Sequence, residues 1–295
     1  MEILTAQLIN GLAIGSIFAL VLIGLNLLLL VRGILQFSYP HMVVLSMYAA
    51  WFIIGLTGGN LTWGILTAVL TCTLLSICVE PIFRSLAVRL HLLESLVAAI
   101  GISIIITEMM SHFLNFGRPI AFPATLRSGG GIISYGTISF SLGNIYTLIG
   151  CIAIMIVLLY LLYHSKEGMA FRAMAYHLQI ARLLGISVNR TSIYSFAAAG
   201  LLGGITAVLL AMSLGSASAN LGNTLMFQLL AVLMFAGMGN LKGGVICGVL
   251  FGLAITMSVT FLPGRWTEAV VFGLIMIAIM IWPKGIFGTQ ITIEF

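Results

Sequence analysis

QLINGLAIGSIFALVLIGLNLLLL, from Gln7 to Leu30, decides the fold class. It contains no charged residue, and its polar members are Gln7, Asn10, Ser16 and Asn26. About 20 mostly apolar residues in helical form cross the roughly 30 Å hydrocarbon layer of a bilayer. Such a run predicts a membrane-spanning helix. The chain opens Met-Glu with no basic segment ahead of the run. The run is also too long for the apolar part of a signal peptide, so it is expected to remain as a mature span.

Working outward, similar runs recur near 42–56, 61–79, 93–114, 143–163, 192–213, 224–239, 243–262 and 268–282. The expectation is an all-α polytopic membrane protein, one domain over 1–295, with about nine transmembrane helices (eight to ten). The second and seventh runs are short, which allows either to be re-entrant or broken. Composition agrees. Of 295 residues, 61% are hydrophobic and 6% charged, and mean hydropathy is +1.21. So few charges cannot cover the surface of a soluble globule.

All seven acidic residues are glutamate. With no aspartate, the usual ligands for EF-hand Ca²⁺ and for Mg²⁺ in phosphoryl transfer are missing. There is no G-x-x-x-x-G-K-[ST], H-E-x-x-H, G-x-S-x-G or T-V-G-Y-G, and no arginine ladder. No enzyme class finds a catalytic set, and no metal site is expected. Cys72, Cys78, Cys151 and Cys247 lie in apolar runs and read as small buried hydrophobes. The net charge of +5 needs no nucleic acid to explain it, because lysine and arginine gather on cytoplasmic loops of membrane proteins. If 164–191 is cytoplasmic, alternation puts nine of the twelve Lys and Arg inside and leaves Arg118, Arg127 and Arg265 outside. That bias puts the N-terminus outside and the C-terminus inside.

Two segments stand between spans. Residues 115–142 form an external loop rich in turn formers, with Pro119, Pro123 and Gly129 to Gly131. Ile133 to Ser141 alternates as a short hairpin does. The loop is either a connector or a cap facing a partner. Residues 164–191 are the most charged stretch. Phe171, Met174, Leu178 and Ala181 recur at helical spacing, Arg172, Gln179 and Arg182 lie off that stripe, and Gly185 supplies a C-cap. This amphipathic helix either lies on lipid or docks into a groove on a cytoplasmic partner.

Glycines at four-residue spacing let helix backbones approach closely: Gly11/Gly15, Gly200/Gly204 and Gly244/Gly248/Gly252. Polar groups within the spans are few. Glu108, with His112 one turn on, is either functional or reaches the interface from a helix end. Asn26 and Gln228 can bond neighbouring helices. Gln36, Ser38 and His41 gather beside Pro40 where the first two spans meet, which is either a loop or part of a solute path.

The stretches GLAIGSIFALVLIGLNLLL (Gly11 to Leu29), SLVAAIGISIIITE (Ser95 to Glu108), EGMAFRAMAYHLQIARLLGI (Glu167 to Ile186), AVLMFAGMGNLKGGVICGVLFGLA (Ala231 to Ala254) and WPKGIFG (Trp282 to Gly288) resemble, in order, the LivH-type permeases of branched-chain amino acid ABC importers. The resemblance implies a second, different permease chain, two ATPase subunits that bind ATP and Mg²⁺, and an external solute-binding protein. This chain itself binds no cofactor. The helix within 164–191 becomes a coupling helix, with Phe171, Arg172, Met174, Ala175, His177, Leu178, Ala181, Leu184 and Gly185 toward the ATPase. Gln36, Ser38, His41, Glu108 and Gln228 become candidates for the solute path. The family usually carries Asn-Phe-Ala-His/Gln-Gly after the first span, where this chain reads Gln36-Phe37-Ser38-Tyr39-Pro40-His41. It also carries an acidic residue where this chain has His177. The solute is therefore left open. The competing reading is a stand-alone channel or facilitator, which has no need of a docking helix.

Overall fold

The computed structural model describes residues 2–88, 92–114, 118–123, 132–135, 138–176 and 178–261, then Trp266, Ala269, Phe272, Gly273, Met276, Ile277, 280–282 and 285–287. Among these are ten helices: α1 (Glu2–Arg32), α2 (Tyr39–Leu56), α3 (Leu61–Val88), α4 (Leu92–Phe113), α5 (Leu142–His164), α6 (Lys166–Tyr176), α7 (Leu178–Leu183), α8 (Val188–Leu214), α9 (Leu221–Ala236) and α10 (Leu241–Phe261). Seven are long and apolar enough to cross a membrane, and α9, at 16 residues, is shorter. Of the expected ninth span, 268–282, the described residues are Ala269, Phe272, Gly273, Met276, Ile277 and 280–282, and all of these but Trp282 are helical.

The bundle is built on α1, which packs most extensively against α10. Glycines set that contact. A Cβ on Gly15 would stand 2.6 Å from the Val249 carbonyl oxygen, and one on Gly248 would stand 2.8 Å from Ala19 Cα. Gly11 faces Leu253 and Thr256, Gly252 lies against Gly15, and Gly244 faces Asn26. The two helices therefore run antiparallel with their backbones nearly touching. Within lipid there is no hydrophobic gain from moving one apolar helix against another. Close packing of small residues supplies the attraction instead. α3 and α8 repeat the device, with Gly200 on Thr73 and Gly204 on Val69. α1 is enclosed on nearly all sides, whereas α3, α4 and α5 turn broad apolar faces outward, including Leu74, Ile105 and Ile156.

Two sequence expectations change, for α3 and for Cys78. α3 does not stop at residue 79 but continues through Pro81 to Val88. Pro81 removes one helical hydrogen bond, and packing within a bundle tolerates this. The amphipathic helix expected within 164–191 is described as α6 and α7, with His177 between them outside the described residues. Cys72, Cys151 and Cys247 are buried and free, but Cys78 lies on the outward face of α3.

The two ends of the bundle differ. At one, β2 (Ile132–Tyr135) and β3 (Ile138–Ser141) form the antiparallel hairpin that the alternating pattern anticipated. Nearby, β1 (Ile120–Ala121) pairs with β4 (Ser216–Ala217), and the Trp51 indole N–H donates to the Ala121 carbonyl at 3.1 Å. At the other end lie α6 and α7.

Candidate functional site

The two short helices are the ones that begin inside the bundle. After α1 the chain turns back at Gly33, whose φ of 69° favours glycine, and α2 starts at Tyr39. The buried Tyr39 hydroxyl donates to the Ala199 carbonyl at 2.9 Å, well within the 27-residue α8. Gly24 and Gly203 leave the space its ring occupies. One turn on, the Ser76 hydroxyl meets the Met42 sulfur at 3.8 Å, near the middle of α3. The first turn of α2 thus sits within the thickness of the bundle. Pro40 suits it, since a first-turn residue has no helical acceptor for its N–H.

The first turn of α9 reaches the same depth from the other direction. Gly215, at φ 69°, ends α8 by donating its N–H to Ala211, and the chain then runs extended through β4. His41 Nε2 lies 2.9 Å from Asn223 Oδ1, and His41 Nδ1 lies 3.3 Å from the Phe37 carbonyl. Gly222 is the only residue type that fits here, because a Cβ would stand 2.6 Å from the imidazole. The first turns of the two helices therefore meet through the His41–Asn223 contact.

Below that junction is a crevice lined by Leu25, Leu35, Gln36, Phe37, Pro40, Met226, Leu230 and Leu233. Its walls are apolar apart from Gln36. The buried Gln36 amide donates to Ser38 at 3.4 Å and leaves its oxygen without a partner. The structure thus brings together three of the five residues expected on the solute path: Gln36, Ser38 and His41. Gln228 is half-buried on α9 and does not line the crevice. Glu108 stands on the exposed face of α4, 3.1 Å from His112. Among the described residues the buried carboxylate is instead Glu80, which receives both arms of the Arg84 guanidinium at 3.1 and 2.5 Å. Neither Glu80 nor Asn223 was singled out by the sequence. Glu80 followed by Pro81 reads as the end of a span, and no pattern pairs Asn223 with His41.

The amphipathic segment sits at the opposite end from the hairpin. Ser165 caps α6 by accepting the Gly168 N–H at 2.9 Å. Gly168 is required by the tight turn out of α5, where a Cβ would meet the Leu162 backbone. Phe171, Met174 and Ala181 are buried against the bundle, and Ala175 is half-buried. Leu178 is the first described residue after His177, which lies outside the described residues. α7 ends in a Schellman turn: Ile186 N–H donates to Ala181 and Gly185 N–H to Arg182, with Gly185 at φ 83°. The exposed apolar residues are Met169, Ile180, Leu183 and Leu184, the last two 87% and 74% exposed. Arg172 turns inward, with its guanidinium 5.0 Å from the Tyr163 ring and donating to the Tyr163 carbonyl at 3.1 Å.

A polytopic helical bundle with two helices beginning inside it, an apolar crevice at their junction and an amphipathic segment at one end is an arrangement that suits a transport permease. Residues 7–280 match the family described as the permease component of the branched-chain amino acid transport system, and the chain belongs to that family. It is similar to the high-affinity branched-chain amino acid transport permease LivH of Escherichia coli, with 25% identity covering 96% of this chain and 94% of that one. It is likewise similar to BraD of Pseudomonas aeruginosa, with 26% identity over 96% and 95%. A probable ABC transporter permease of Escherichia coli, YphD, is 37% identical over a shorter stretch, 38% of this chain and 34% of the other. No solved structure matches. Membership favours the transporter subunit over the stand-alone channel, and the relatives are transport components, not enzymes.

Proposed function

We propose that the chain is the membrane-spanning half of an ATP-driven importer for an amino acid or a closely related small solute. It works beside a second permease chain, two ATPase subunits and an external solute-binding protein. The hairpin end faces outward, with the N-terminus outside, and the α6–α7 end faces the cytoplasm, as the distribution of Lys and Arg favours. The observation that carries the reading is the exposed apolar ridge of Ile180, Leu183 and Leu184 on a short helix at the cytoplasmic end. Such a ridge beyond the bundle suits a groove on a soluble ATPase. Closure of the ATPase dimer on ATP would move α6 and α7, and the path would open alternately to each side. The apolar crevice suits passage of an aliphatic side chain, in keeping with the names of the LivH and BraD relatives.

The test is purification of the tagged chain from its native membrane, followed by uptake in vesicles. An ATPase is expected to accompany it, and uptake of leucine, isoleucine or valine is expected to need both ATP and the binding protein. Uptake that persists without ATP would return the chain to the channel class.

A further inference from the structure

We infer that Tyr163 and Lys242 form the link through which movement of α6 reaches the α9–α10 turn, and so the junction at His41. The inference rests on the coupling role proposed for α6 and α7 and deepens it. A lever must be joined to what it moves, and α6 is joined at Arg172. The Arg172 guanidinium stands 5.0 Å from the Tyr163 ring and donates to the Tyr163 carbonyl. From another helix, the Lys242 ammonium stands 5.6 Å from the same ring. Both distances lie within the roughly 6 Å over which an aromatic face attracts a cation. Two cations drawn to one ring tie α6, the end of α5 and the first turn of α10 into one unit.

Lys242 follows directly on the α9–α10 turn. Gly237 and Gly239 hold φ of 91° and 82°, a backbone other residues resist. Asn240 caps α10 by accepting the Gly243 N–H at 3.0 Å and donates its amide to the Phe287 carbonyl at 2.7 Å. The Gly239 N–H donates to Asn26 of α1 at 3.2 Å. The turn is thus held by specific hydrogen bonds on a backbone of two glycines, and Lys242 is its connection to α6. At the far end of α9, Asn223 meets His41. Displacing α6 pulls on Lys242 through Tyr163, tilts α9 about the glycine turn and opens or closes the crevice between Leu35 and Leu230. Arg172 is a positioning residue in this route and not a contact of the ATPase.

The experiment uses the whole transporter reconstituted with its ATPase subunits and binding protein. It measures solute moved per ATP hydrolysed for Tyr163→Phe, Tyr163→Leu, Lys242→Arg and Lys242→Met. Co-purifying ATPase is measured on the same samples. Tyr163→Leu and Lys242→Met are expected to lower the ratio about fivefold, the scale of one lost cation–π contact, with ATPase binding retained. Tyr163→Phe and Lys242→Arg keep the ring and the charge and are expected to keep the ratio. A merely structural role would change protein amount without changing this ratio. An unchanged ratio in Lys242→Met, whose side chain is exposed and whose folding is not at stake, overturns the inference. So does an equal loss in Tyr163→Phe. If the wild-type chain carries no ATPase at all, the underlying coupling reading fails instead.

Discussion

His41 and Asn223 stand 182 residues apart in the chain, yet His41 Nε2 lies 2.9 Å from Asn223 Oδ1. That contact joins the first turns of the two helices that begin inside the bundle. Truncating Asn223 leaves the buried His41 without that partner, a cost of about 1–3 kcal/mol, whereas the exposed Asn223 can turn to water when His41 is truncated. His41→Ala and Asn223→Ala are each expected to slow uptake about tenfold at equal membrane abundance, and the double variant to be no slower than either single one. Uptake rates that multiply in the double variant would show that the two residues act separately.

The glycine contacts rank themselves by what lies opposite. Gly15→Ala and Gly248→Ala push a methyl group into backbone atoms at 2.6 and 2.8 Å, and backbone cannot give way. Each is expected to destabilise the bundle by about 1–3 kcal/mol. Gly244→Ala meets only the side-chain amide of Asn26, at 2.9 Å, and moving it strains its bond to the Gly239 N–H, so its cost should lie between those and zero. Gly101→Ala meets nothing within 4 Å and should be neutral or gain up to about 1 kcal/mol from helix propensity. Thermal unfolding midpoints in one detergent check the order. A Gly248→Ala chain as stable as Gly101→Ala would mean that α1 and α10 are not packed this closely.

How far these features could be read beforehand depends on whether they are local. The uncharged run from Gln7 to Leu30 announces α1 on its own, because length and apolarity are properties of one segment. The shortness of α2 and α9 is visible in the same way. Their meeting is not, since it depends on how the chain turns at Gly33 and Gly215. The stripe of Phe171, Met174 and Ala181 was legible as one face of a helix. Periodicity does not say whether that face meets a partner or its own bundle, and here it is buried against the bundle. Glu80 carries no such signal, because a carboxylate followed by proline ordinarily ends an apolar helix. Arg84, one turn later, is what lets it stay inside.

That pair makes a signed prediction. The Glu80 side chain is 1% exposed, whereas that of Arg84 is 32% exposed. Arg84→Ala withdraws a bidentate partner from a buried carboxylate, while Glu80→Gln leaves an arginine that can turn toward water. Removing one member of a buried pair costs about 3–5 kcal/mol, and the partial exposure of Arg84 puts the cost here below that range. Arg84→Ala is therefore expected to lower the unfolding midpoint more than Glu80→Gln. The reverse order would show that the carboxylate is held mainly by its other contacts.

The amphipathic segment offers the clearest division of two effects that a single uptake assay confuses. Leu183 and Leu184 are exposed at the end of α7, so a charge there meets water in the isolated chain and costs the fold little. Against an apolar groove the same charge must be stripped of water, which costs several kcal/mol without a partner. Leu184→Glu is expected to preserve the unfolding midpoint while abolishing ATPase co-purification and stimulated hydrolysis. Phe171 and Met174 are 7% and 3% exposed on the inner face of α6. Phe171→Glu buries the charge in the chain's own bundle, so membrane abundance should fall before any partner is involved. Measuring midpoint and co-purification together separates the two outcomes. A Leu184→Glu chain that still carries its ATPase would move the docking surface off the ridge of Ile180, Leu183 and Leu184.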